Sequence, residues 1–239
     1  MSTGNLSIEA QARYGYIESL LVADFPPPAR VVELGAAPGD QIARLADLGY
    51  EATSVDIGVA SDAWGHAEEG RMDQLLAASG VRSVTWNLEE VPYPLEDSSY
   101  DIVMMTEVYE HLRDYPIRSL EEVWRILRPG GRLYFTTPNA AYLVNRVRCL
   151  AGRSISSSLP DWIGGIPHAR HAREYTFSEV HELVETVGLR VVSSSSRHFY
   201  LDSGRTDLIG RSGKRALSEL ALRRPSFGPA IIVVAERPA

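Results

Sequence analysis

In the run TEVYEHL, Glu107, Glu110 and His111 stand at positions i, i+3 and i+4, so on a helix they share one face. Two carboxylates and an imidazole that close together either repel one another or hold a cation. A second histidine cluster follows at HARHAREYTFSEV, residues 168–180, and offers His168 and His171. An imidazole there, or His111 itself, is also a candidate general base without any metal.

A different chemistry is written into VVELGAAPGD at 31–40, where an apolar run enters a tight turn of small residues and opens a helix. Such a turn lets the backbone approach a ligand closely, and Gly35 and Gly39 can take conformations that a side chain forbids. A nicotinamide fingerprint places glycines at 35, 37 and 40. Positions 37 and 40 are Ala37 and Asp40, and an acid at the helix start repels a pyrophosphate. The turn therefore predicts a cofactor without phosphates. The next strand ends in TSVDIG, 17 residues beyond Gly39, and a carboxylate at that tip, Asp56, can accept hydrogen bonds from both hydroxyls of a ribose.

These groups need a frame. Residues 7–23 carry Ile8, Ala12, Tyr16, Leu20 and Ala23 near helical spacing and predict an N-terminal helix ending before Pro26–Pro28. Short apolar runs then alternate with helical segments: 30–34, a helix at 40–48, 52–55, 84–87, 101–105, a helix through Leu112 and another at 116–127, and 132–136. This rhythm predicts an α/β fold with helices on both faces of a mostly parallel sheet. Strands such as VVEL and DIVMM are apolar without alternation, as expected when both faces are covered. Runs at 189–194 and 231–236 form a terminal strand pair, joined by a polar connection at 195–229 with a helical pattern at 214–222. Insertions stand at 58–80 and 139–175. The second follows a strand's carboxyl end, where open α/β sheets bind ligands, and is assigned as a substrate cap. Tyr142, Trp162, Ile163 and Tyr175 are candidates to line an acceptor pocket.

With 239 residues the chain reads as one domain, 1–239. No apolar run is long enough to span a bilayer and no leader pattern is present, which predicts a cytoplasmic protein without membrane insertion. Cys149, the single cysteine, excludes an internal disulfide and is expected to be buried. The net charge of −7 conceals an asymmetry: 7 basic and 20 acidic side chains in residues 1–120, but 17 and 11 in 121–239. The total does not favour long-range attraction to nucleic acid, although a local basic face in the second half can still meet a phosphate.

In ELGAAPG (33–39), SVD (54–56), WNLEEVPYPLEDSSYDIVMMTEVYEHL (86–112) and RILRPGGRLYFTTPN (125–139), taken in order, the sequence resembles the class I S-adenosylmethionine methyltransferases. The resemblance implies a Rossmann-like seven-stranded sheet of order 3-2-1-4-5-7-6 with the last strand antiparallel. It also implies a cofactor, S-adenosylmethionine, held by Glu33, Gly35, Ala36, Ala37, Gly39 and Thr106 around its methionine portion, Asp56 and Ile57 at the ribose, and Asn87 and Leu88 at the adenine. Many relatives carry Asp where this chain has Asn87, whose carbonyl oxygen still accepts an amino hydrogen. The E-x-x-E-H run with a later histidine resembles that of the ubiquinone-pathway O-methyltransferases and the small-RNA 3′-end 2′-O-methyltransferases. That likeness selects His171 over His168 and implies a divalent metal (Mg, Mn or Zn) on Glu107, Glu110, His111 and His171, activating a substrate hydroxyl. The expected activity is O-methylation of a small molecule or saccharide. The alternatives are methylation of an RNA 3′ end, which the negative total charge disfavours, and cofactor binding without catalysis.

Overall fold

The computed structural model describes residues 7–58, 70–156, 170–199 and 223–239, with positions 159, 163, 213, 215, 216, 219 and 220 between them. Trp162, His168, Lys214 and much of the connection after Phe199 lie outside the described residues.

Helix α1 spans Ile8–Asp24, its first turn capped by the Ser7 side chain, which accepts from the Ala10 N–H at 3.2 Å. Strands β1 (Arg30–Leu34) and β2 (Glu51–Asp56) are joined by helix α2 (Asp40–Asp47), and helix α3 (Arg71–Ala78) leads into β3 (Arg82–Thr85). Strand β4 (Tyr100–Thr106), helix α4 (Ile117–Ile126) and β5 (Leu127–Pro138) follow. Helix α5 (Leu143–Leu150), helix α6 (Phe177–Thr186), β6 (Arg190–Arg197) and β7 (Ala230–Glu236) complete the order. The seven strands form one sheet in the order β3-β2-β1-β4-β5-β7-β6. Neighbours from β3 through β5 are parallel, and β7 runs antiparallel to both β5 and β6. This is the seven-stranded Rossmann-like arrangement expected from the resemblance.

Successive residues of each central strand enter different cores, which is why their sequences do not alternate in polarity. Val32, Leu34, Val103, Met105, Leu133 and Phe135 pack with Leu120, Val123 and Ile126 of α4 and Val180 and Val184 of α6. Val31, Ile102, Met104 and Tyr134 pack on the other face with Ile17 and Leu21 of α1, Ile42 and Leu45 of α2, and Leu76 of α3.

Several local expectations change. The buried residues of α1 are Tyr14, Ile17 and Leu21, while Tyr16 and Leu20 pack partly buried against the core and Ile8 is exposed. No helix runs through Leu112. Glu107 has φ +56° and Val108 φ −127°, so the helical ladder cannot start there, and only a single 3-10 turn forms at Tyr109–His111. Cys149 is exposed because α5 buries none of its residues. Among the described residues no helix is long and apolar enough to cross a membrane.

Helix α6 begins with a capping box. The Thr176 hydroxyl accepts from the Glu179 N–H, while the Glu179 carboxylate accepts from the Thr176 N–H at 2.8 Å. Replacing Thr176 by Ala is expected to lower the unfolding free energy by about 1 kcal/mol, read as a lower urea midpoint at unchanged slope.

Candidate active site

The carboxyl ends of β1, β2 and β4 meet at the point where the strand order reverses, and a cleft of about 460 Å³ opens there. Its wall begins with the turn after β1. Gly35 lies in the left-handed region (φ +74°), and a Cβ built on it would stand 2.5 Å from Cγ2 of Val108. A side chain at 35 is therefore excluded twice, by conformation and by contact. The turn closes on itself: Gly35 and Ala36 N–H donate to the Val55 carbonyl (2.7 and 3.4 Å), and Gly39 N–H donates to the Ala36 carbonyl (2.6 Å). The Ala37 N–H donates to Oδ2 of Asp56 at 3.0 Å, which ties the turn to the tip of β2. Asp56 Oδ1 accepts from the Gly58 N–H at 3.3 Å. Burial raises its pKa, and its backbone hydrogen bonds oppose that shift.

Gly35, Ala37, Asp56, Ile57, Asn87, Leu88 and Thr106 all line the cleft, whereas Glu33, Ala36 and Gly39 stand behind its surface. Glu33 is 3% exposed and accepts weakly from the Thr106 hydroxyl at 3.4 Å. Burial raises its pKa to about 8, against the lowering influence of Thr106 and Arg13. Asn87 uses its carbonyl oxygen to accept from the Glu89 N–H at 3.0 Å, leaving a second lone pair for a ligand. Asp40 does not act as a bare negative charge at the start of α2. Arg71 grips it with two hydrogen bonds of 2.8 and 3.0 Å, so the exclusion of a pyrophosphate does not rest on Asp40.

The same cleft is lined by Glu107, Glu110, His111 and His171. Ligand atoms of Glu110, His111 and His171 lie within 4.8 Å of one another, and the two rings meet edge to face with centroids 4.9 Å apart. The Glu110 carbonyl brings the histidine segment in, accepting from the N–H groups of Ala172 (2.6 Å) and Arg173 (3.2 Å). Glu110 is 1% exposed; its Oε2 accepts from Thr137 at 3.1 Å, while Oε1 is buried without a hydrogen-bond partner. Burial first, then the Glu107 charge, holds its pKa well above the usual carboxylate range. His111 Nδ1 lies 3.2 Å from the Arg170 carbonyl and His171 Nδ1 3.1 Å from Oε1 of Glu174. Both partners only accept, so Nδ1 is the donor in each contact. Glu107 departs from this group. Its Oε1 accepts from the Thr136 hydroxyl at 2.9 Å and its Oε2 lies 3.9 Å from Arg13.

Among the described candidates for an acceptor pocket, Tyr142, Ile163 and Tyr175 do not line this cleft, and Trp162 lies outside the described residues. Tyr175 packs on Tyr109 in the core, Tyr142 faces His198, and Ile163 is exposed. Instead α1 supplies Ala10, Arg13 and Tyr14, and its N-cap Ser7 joins them. Sequence reasoning missed these. Arg13 sits beside the buried residue Tyr14, where a charge reaches either solvent or a cleft, and only the packing of α1 decides which.

The family described as "Methyltransferase domain" matches residues 9–194. A probable S-adenosylmethionine-dependent methyltransferase of Mycolicibacterium smegmatis is 31% identical over 161 residues, covering 67% of this chain and 52% of that protein. The chain thus spans about half the length of that relative. A ubiquinone biosynthesis O-methyltransferase of Coxiella burnetii is 24% identical over 173 residues, 71% of this chain and 67% of its own length. Among solved structures, the 1,6-didemethyltoxoflavin-N1-methyltransferase of Burkholderia thailandensis, with bound S-adenosylhomocysteine, superposes with a TM-score of 0.59 at 19% identity. The match covers 95% of this chain and 79% of that one and shows a shared fold.

Two outcomes follow from the geometry. Gly35→Ala should destabilise the protein by about 1–3 kcal/mol and weaken ligand binding at the turn, and adding Val108→Ala should recover only part of the loss, because the positive φ remains. The raised Glu33 pKa makes stability fall as pH rises. Below about 4.5 the group is neutral in both states, and between about 4.5 and 8 only the unfolded chain ionises freely. Unfolding free energy should therefore decline across this window by on the order of a few kcal/mol, and Glu33→Gln should flatten the decline in denaturant titrations.

Proposed function

The chain belongs to the methyltransferase-domain family with a class I sheet, and from that premise we propose that it transfers the methyl group of S-adenosylmethionine to a hydroxyl of a small molecule or saccharide. The observation that carries this reading is one continuous cleft. Its lining joins the Gly35–Pro38 turn and Asp56 with Glu110, His111 and His171. Methyl transfer requires donor carbon and acceptor atom in line, so a shared cavity lined by both sets supplies the positioning on which the rate depends.

In this reading the Asp56 carboxylate accepts from the ribose hydroxyls, exchanging part of its bond to the Ala37 N–H. Asn87 and Leu88 form the adenine end. Glu110, His111 and His171 would hold a divalent cation such as magnesium, manganese or zinc. The donor set fits: Oε1 of Glu110 is buried without a partner, and both rings are anchored through Nδ1, the outer-shell pattern of ligating histidines. When bound, such a cation supplies Lewis-acid activation of an acceptor hydroxyl. Glu107 stands beside this set, hydrogen-bonded to Thr136. The cleft lining counts against an RNA end as acceptor. Phosphates would meet Asp56, Glu89, Glu107 and Glu110 against Arg13 as the single Arg or Lys among the described lining residues.

Asp56→Ala is expected to weaken cofactor binding about ten- to a hundredfold, the loss of hydrogen bonds to a charged acceptor, measured by calorimetry. Turnover on a panel of hydroxylated acceptors should disappear in chelator and return with added divalent metal. Full turnover in metal-free chelator would remove the cation and leave His111 or His171 as a general base. Cofactor binding with no turnover on any hydroxyl would contradict the O-methylation reading.

A further inference from the structure

Helix α5 is fastened to the body by polar side chains and leaves apolar ones in water. The Asn145 amide donates to the carbonyls of Asn139 (3.4 Å) and Ala140 (3.3 Å), and Arg146 donates to the Ala141 carbonyl (2.6 Å) and lies over the Phe227 ring. Leu143, Val147 and Leu150 stand at i, i+4 and i+7 and so form one stripe. Val147 is 58% exposed and Leu150 89%, the reverse of an ordinary surface helix, whose apolar stripe meets the core. Leu159 and Ile163, further along the same insertion, are exposed to 74% and 81%. The charge of this stretch has one sign: residues 139–160 hold Arg146, Arg148 and Arg153 and no acidic residue. Arg148 and Arg153 are exposed and enter no ion pair among the described residues. The Arg153 N–H donates to the Arg148 carbonyl at 2.8 Å, which keeps Arg153 beside the last turn of α5.

We propose that α5 is a peripheral docking element that lies on an anionic lipid bilayer, with Val147 and Leu150 in the boundary between headgroups and acyl chains and the arginines among the lipid phosphates. The two halves of the patch suit the two layers of that surface. Apolar side chains leave water at the boundary, and the long arginine stems reach back to the charged headgroups. A helix of eight residues rests on a bilayer and is too short to cross it. The net charge of −7 opposes this approach only weakly, because the acids gather in residues 1–120 and fields between exposed charges are screened beyond about 10 Å. A second copy of the chain is a poorer occupant, since a two-fold contact through this stretch sets arginine against arginine. A protein partner needs a fitted pocket for each projecting side chain, whereas a bilayer needs only that they project. The surface lies outside the cleft lining, so the assignment is independent of cofactor and acceptor.

Sedimentation of the full chain with vesicles tests it, using phosphatidylcholine alone and phosphatidylcholine mixed with phosphatidylglycerol. The wild-type chain should sediment with the mixed vesicles, more weakly as salt is raised, and not with phosphatidylcholine alone. Arg148→Gln with Arg153→Gln should lower the partition constant about fivefold for each arginine removed. Val147→Ser with Leu150→Ser should lower it about tenfold or more. Both variants should keep the wild-type urea midpoint, because α5 buries none of its residues, so a loss of sedimentation is not a loss of fold. A wild-type chain that ignores the mixed vesicles would overturn the assignment and leave the patch to an acidic protein surface. Unchanged partition of the Val147 and Leu150 variant would overturn it as well, as would a wild-type dimer in solution that this variant dissociates.

Discussion

The turn between Leu34 and Gly39 constrains everything around it. Its N–H groups are spent on Val55, Asp56 and its own Ala36 carbonyl, so it is a closed loop pinned to β2 before any ligand arrives. The pinning requires a residue without a side chain at 35, because Val108 already occupies that space. Val108 in turn follows Glu107, whose left-handed backbone ends β4 abruptly. One steric constraint thus couples the turn after β1 to the loop that presents Glu110 and His111. The turn and the Glu110–His111 loop therefore pack as neighbours, with Val108 between them.

Electrostatics gives the same cleft its character. Glu33 and Glu110 are carboxyls taken out of water, and burial drives both pKa values upward. A site that concentrates carboxyl groups in this way is poised for cationic partners. The sulfonium and ammonium of the proposed cofactor, a divalent ion and the guanidinium of Arg13 all have the required sign. The cost of gathering these acids falls on folding stability, and Arg13 and Arg71 offset part of it by facing Glu107 and Asp40.

Much of this was legible in the sequence, for identifiable reasons. The order and class of the strands followed from apolar runs without alternation, which report a sheet covered on both faces, and β1 is found at Arg30–Leu34 as its Val-rich run indicated. Gly35, Ala37 and Asp56 were readable because backbone approach and a strand-tip carboxylate leave composition signals. What escaped was decided by tertiary contact or by single backbone angles. The i, i+3, i+4 spacing of Glu107, Glu110 and His111 suggested a shared helical face, but a positive φ at Glu107 sends its carboxylate to Thr136 and Arg13. On α1 the apolar spacing announced a helix but not which residues bury fully: Tyr16 and Leu20 are partly buried, and Ile17 and Leu21 fill the core. Arg13 was missed because only the packing of α1 decides whether its side chain lines the cleft. For Tyr142, Ile163 and Tyr175 residue type alone did not choose between a pocket and a core, and Tyr175 packs in the core.

The most direct test of this account is a crystal structure of the chain soaked or grown with S-adenosylhomocysteine. The account predicts the ribose hydroxyls on the Asp56 carboxylate, the amino-acid end against the Gly35–Pro38 turn, and the sulfur directed along the cleft toward Glu110, His111 and His171. A nucleoside bound elsewhere, or in this cleft with its sulfur turned away from those three side chains, would contradict it.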